Sequence, residues 1–147
     1  MTSVGKAAFK NSKKLKTVKL GKNVKKIGQR AFYGCTKLTN VSLGKNVASI
    51  GANAFNKCTA LTIIAIPSKV NKIGTKAFYQ CRKLRYFMVK TKKLTLENIG
   101  ENAFGSGYGS PRVKTDKGIW KRYSNVFLLR GMSKKALFVI DPVKLVI

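Results

Sequence analysis

Apolar residues recur along this chain in one fixed order: Ile27-Gly28-x-x-Ala31-Phe32-x-x-Cys35-x-x-Leu38-x-x-Val41-x-Leu43. The order returns as Ile50-Gly51-x-x-Ala54-Phe55-x-x-Cys58-x-x-Leu61-x-x-Ile64-x-Ile66, and again as Ile73-Gly74-x-x-Ala77-Phe78-x-x-Cys81-x-x-Leu84-x-x-Phe87-x-Val89. Phe32, Phe55 and Phe78 stand 23 residues apart, and Phe9 precedes Phe32 by the same interval. A partial copy therefore runs from Val4-Gly5-x-x-Ala8-Phe9 through Leu15, Val18 and Leu20, with Ser12 where the others carry Cys. A period of this length marks a repeat architecture, because one coil cannot bury its own apolar residues but stacked coils bury a continuous column. Val41 and Leu43 alternate as the inward residues of a strand, and Leu38 leads into it. Phe32 and Cys35, three apart, are predicted on the inner side of a short helical turn. Gly21-Lys22-Asn23, Gly44-Lys45-Asn46 and Pro67-Ser68-Lys69 separate the copies with turn chemistry.

The fourth junction is longer. Phe104 follows Phe78 by 26 residues, which places three extra residues around Thr91 to Lys93 and puts Leu96 in the position of Val70. Ile99-Gly100-x-x-Ala103-Phe104 closes that coil, and a Gly/Ser-rich loop follows. Residues 112–114 read as a short strand. Asp116 reads as a helix N-cap, with Ile119, Trp120, Tyr123, Val126 and Phe127 on one face and Gly131 as the stop. The runs 136–140 and 143–147 are strand-like. A solenoid needs its terminal apolar face covered, so residues 1–104 are read as the solenoid and residues 105–147 as its C-terminal cap, within one domain. The first coil shows no evident cap, which implies earlier repeats or an N-terminal partner.

Composition changes the picture in two ways. Lys+Arg number 31 against 4 Asp+Glu in 147 residues, a formal charge of +27, and there is no His. The acids are Glu97, Glu101, Asp116 and Asp141, so residues 1–96 carry no carboxylate side chain. Acid–base pairs and His-activated nucleophiles are thereby missing from the repeats, and Gly28, Gly51 and Gly74 lack the spacing of phosphate-binding loops. No enzyme activity, cofactor, metal or small-molecule substrate is expected. The charge either keeps the surface solvated or forms a footprint for a polyanion such as a wall polymer, glycosaminoglycan or nucleic acid. Lys rather than Arg dominates and no recognition-helix motif is present, which speaks against sequence-specific DNA binding. Residues 1–20 contain no apolar h-region, and no run reaches the length of a membrane span. Cys35, Cys58 and Cys81 occupy one repeat position without C-x-x-C pairing, so they read as buried small hydrophobes rather than as a metal or redox site. Being three, they cannot all pair within the chain.

The repeated pattern resembles the BspA-like, or treponemal-type, leucine-rich repeats over residues 4–104. The tail, through Trp120, Lys121, Tyr123 and residues 130–133, is similar to that family's C-terminal cap. The resemblance implies a leucine-rich repeat solenoid, a right-handed β-α superhelix of about four 23-residue coils with an α/β cap. It also implies a bacterial surface or secreted protein that acts in adhesion and protein binding, with no catalytic residues.

The expected contact surface is the outward side of the strands. Its positions are Lys16, Thr17 and Lys19; Thr39, Asn40 and Ser42; Thr62, Ile63 and Ala65; and Arg85, Tyr86 and Met88. Lys16, Lys19, Asn40, Ser42, Ile63, Arg85, Tyr86 and Met88 are the candidate partner-binding residues, for a protein or an anionic polymer on a host or cell surface. Ile63, Tyr86 and Met88 form an apolar group that either marks a contact site or packs under the junction at residues 90–93.

Overall fold

The computed structural model describes residues 1–105, 112–115, 126–132 and 137–140. The repeats wind into stacked coils that contribute to two parallel sheets. The short sheet holds β1 (Ser3–Val4), β3 (Lys26–Ile27), β5 (Ser49–Ile50) and β7 (Lys72–Ile73), in that order. The long sheet holds β2 (Thr17–Lys19), β4 (Asn40–Ser42), β6 (Ile63–Ile66) and β8 (Tyr86–Val89), followed by β9 (Arg112–Thr115) and β10 (Leu137–Ile140). Every pairing is parallel and holds the 23-residue register through β8, as in Val18 with Val41, Val41 with Ile64, and Ile64 with Phe87. The inward side chains therefore fall on one another coil after coil.

The core is these columns. Phe32, Phe55, Phe78 and Phe104 are buried, and their rings stack at 5.2, 5.5 and 6.0 Å. Leu38, Leu61 and Leu84 form a second column, and Ile27, Ile50, Ile73 and Ile99 a third. Phe9, in the first coil of the sequence, begins the first column with its ring 5.3 Å from Phe32 and is 43% exposed. Leu15, Val18 and Leu20 are only partly buried. At the opposite end Phe104 meets Phe127 at 4.9 Å and Phe87 edge-on at 5.5 Å.

Two expectations are corrected. The segment from Gly28 to Cys35 is a ladder of tight turns, not a helical turn. Ala31, Tyr33 and Cys35 donate back to the carbonyls of Gly28, Arg30 and Phe32, while Arg30, Phe32 and Gly34 donate across to Ala52, Ala54 and Asn56 of the next coil. Aiming alternate N–H groups at the neighbouring coil requires left-handed backbone at two places per coil. Arg30, Asn53, Lys76 and Asn102 hold φ of 51–57° at one, and Gly34, Lys57 and Gln80 hold 57–69° at the other. A non-glycine residue there costs roughly 1–2 kcal/mol, which the inter-coil bonds offset. The second correction is at the long junction. Leu94, not Leu96, enters the core; Leu96 is exposed, and the buried Thr91 hydroxyl donates to the Val70 carbonyl. The extra residues are therefore taken up by an inward loop, and counting back from Ile99 selects the wrong leucine.

In the tail, residues 126–129 are helical with Phe127 buried, and Gly131 ends the turn at φ 93°. The expected N-cap Asp116, the positions Ile119, Trp120 and Tyr123, and the strand at 143–147 lie outside the described residues.

Candidate partner-binding face

Alternation along the strands decides what the outer face of the long sheet presents. Each strand buries Val41, Ile64 or Phe87 and turns its neighbours outward. Pairing then aligns the outward residues into rows. One row is Thr17, Asn40, Ile63 and Tyr86. In the next, Lys19 pairs with Ser42, and Ala65 with Met88. Lys16, Thr39, Thr62 and Arg85 flank them, all exposed, with the Thr39 hydroxyl bonded to the Lys16 carbonyl at 3.1 Å.

The eight sequence-selected residues therefore lie on one face. Lys16, Lys19, Asn40, Ser42, Ile63, Arg85 and Tyr86 are exposed, and Met88 is half-buried beside Ala65. Ile63 and Tyr86 pair directly across β6 and β8, at 36% and 43% exposure. Cross-strand neighbours at this spacing present one continuous apolar surface. The face thus reads basic at Lys16 and Lys19, neutral at Asn40 and Ser42, apolar at Ile63, Tyr86 and Met88, and basic again at Arg85. The strand expected at residues 112–114 is present as β9, and its backbone pairs with β8 to extend the long sheet.

The cysteines are free and buried, and they act as donors rather than as ligands. Cys35 Sγ donates to the Phe9 carbonyl at 3.0 Å, Cys58 to Phe32 at 3.1 Å, and Cys81 to Phe55 at 3.0 Å. Each thiol therefore ties its coil to the preceding one. Burial pushes all three thiols upward, Cys81 to about 12. The S–H form needed for donation is thereby kept, and the reactive thiolate is suppressed. Glu97 and Glu101 are exposed. No group of three or more His, Cys, Asp or Glu positioned for a metal occurs among the described residues, and no described helix is long and apolar enough to cross a membrane.

Comparison with known proteins agrees with this geometry. The model of the BspA type leucine rich repeat region matches residues 1–127, in six copies. The chain is similar to a leucine-rich repeat protein of T. pallidum, at 32% identity and a TM-score of 0.70, over 78% of this chain and 52% of that one. Its fold also matches a leucine-rich cell surface protein of Faecalibacterium prausnitzii, at 18% identity and a TM-score of 0.59, over 91% of this chain and 33% of that one. The pneumococcal vaccine antigen PcpA matches at 16% identity and a TM-score of 0.60, over 96% of this chain and 42% of that one. The chain thus spans about half of the treponemal protein and less of the other two. Comparison with curated proteins gives no match.

Proposed function

This chain belongs to the BspA-type leucine-rich repeat family, and from that premise we propose that it is a non-catalytic binding and adhesion module of a bacterial surface or secreted protein, holding a partner protein on the outer face of its long sheet. The observation that carries this reading is the exposed Ile63–Tyr86 pair with Met88 beside it, rimmed by Lys16, Lys19 and Arg85. Interface energy concentrates in a few such anchors, above all aromatic ones, while the surrounding charges set the rate and orientation of approach. A solenoid suits the task because coil after coil adds to one extended surface without altering the core behind it.

Replacing Tyr86 and Ile63 together by Ala is expected to weaken binding to a host-surface or matrix protein by ~1–3 kcal/mol. Stability should fall by no more than ~1 kcal/mol, since both side chains are substantially exposed. Replacing Lys16 and Lys19 by Gln should chiefly slow association and flatten its salt dependence. Binding kinetics and thermal melts of the two variants check this. Abolished binding in the lysine variant, with none lost in the Tyr86/Ile63 variant, would refute the reading.

A second reading follows from the +27 charge: capture of polyanions such as wall polymer, glycosaminoglycan or nucleic acid. Electrostatic capture of this kind weakens steeply with added salt.

A further inference from the structure

The long sheet is not the only outward surface that the repeat makes periodic. A groove of about 550 Å³ runs along the outside of the short sheet. One wall is a single row of paired positions: Lys26 with Ser49, and Ser49 with Lys72. Hydroxyl and ammonium groups therefore alternate from strand to strand. Gln29 and Thr75 stand on the other side. Gly51 and Gly74, whose repeat position lets the coils stack closely, line the trough between them. Lys26 and Lys72 are exposed, whereas Ser49 is half-buried. Strands in a sheet lie about 4.8 Å apart, so the two lysines, two strands apart, are separated by about 10 Å. Among the described residues, Glu97 is the only carboxylate lining the groove, beside Asn98.

We propose that this groove is a second binding site, for a linear anionic glycan that carries one acidic group per disaccharide. The proposal rests on the second reading above and gives it a place and a spacing. Two features select the ligand class. Cations that recur at every second strand match a charge that recurs once per disaccharide, and they mismatch a phosphodiester chain, which is charged at every unit. Between the cations, Ser49, Gln29 and Thr75 offer hydroxyl and amide groups to sugar hydroxyls, with no aromatic platform for bases to stack upon. Lysine suits the edge of such a trough, since its long stem lets the ammonium follow the polymer.

The test uses an octasaccharide of alternating glucuronate and N-acetylglucosamine, titrated at low ionic strength. Wild-type protein should bind it. Replacing Lys26 and Lys72 by Gln should reduce affinity tenfold or more. Replacing Lys37 and Lys83 by Gln removes the same charge from exposed positions outside the groove and should reduce affinity less than threefold. A charge-conserving variant, Ser49→Lys with Lys72→Ser, halves the cation spacing and should also lose at least fivefold. These positions are exposed or half-buried, and melts confirm that each variant is folded. Equal losses from the two lysine pairs would show spread charge and overturn the groove while leaving the polyanion reading intact. Equal or tighter binding of a single-stranded oligothymidylate, weakened alike by the Lys26/Lys72 change, would overturn the glycan assignment. Failure of wild-type protein to bind both the octasaccharide and heparin would sink the groove and the polyanion reading together.

Discussion

Replacing Gly51 by Ala is expected to destabilise this protein by about 3 kcal/mol, whereas the same change at Gly5 should leave stability within about 0.5 kcal/mol. The two glycines occupy one repeat position, so the contrast isolates the stacking of coils. A Cβ on Gly51 would stand 2.7 Å from the Gln29 nitrogen and the Gly28 carbonyl carbon, and 2.8 Å from the Ile27 oxygen, all of them backbone. Backbone locked into inter-coil hydrogen bonds cannot give way, because Gly51 itself donates to the Ile27 carbonyl at 2.8 Å. On Gly5 the same atom would meet nothing within 4 Å. Chemical denaturation of the two variants checks the difference.

The second large effect lies in the phenylalanine column. Phe55→Ala should cost about 3–5 kcal/mol, the range for removing a fully buried aromatic ring. Phe55 is enclosed on both sides by stacked rings, and the coils above and below are pinned by their own hydrogen bonds, so the space cannot collapse. Phe9→Ala, at the same repeat position but 43% exposed, should cost only about 1–2 kcal/mol. Similar losses at the two sites would mean that the column is not the continuous core described above.

These two predictions rest on the part of the molecule most legible in the sequence. Because apolar residues recur every 23 positions, the register of stacking was readable, and with it the burial of Phe32, Cys35, Leu38 and Val41. Strand alternation likewise placed Ile63 and Tyr86 outward, although their spacing alone left open whether the junction covers them. The turn ladder was not readable. Phe32 and Cys35 stand three apart, as on a helix, but the bonds that fix the segment run to a coil 23 residues away, and local spacing does not encode them. Arg30, Lys57, Lys76 and Gln80, at four of its left-handed positions, carry no turn signature. Leu94 was missed because the long junction changes path inside the core, where residue counting fails. The Lys26–Ser49–Lys72 row appears only once the pairing of the short sheet is known.

The most direct test of the proposed binding face is hydroxyl-radical footprinting of the protein alone and in the presence of a saturating matrix protein. Tyr86 and Met88 report on the long sheet, and Tyr33 and Tyr79, half-buried in the turn ladder, serve as internal references. Binding through the strand face should slow oxidation of Tyr86 and Met88 severalfold and leave Tyr33 and Tyr79 unchanged. Unchanged oxidation of Tyr86 and Met88 in the saturated complex, with protection at Tyr33 or Tyr79 instead, would contradict it.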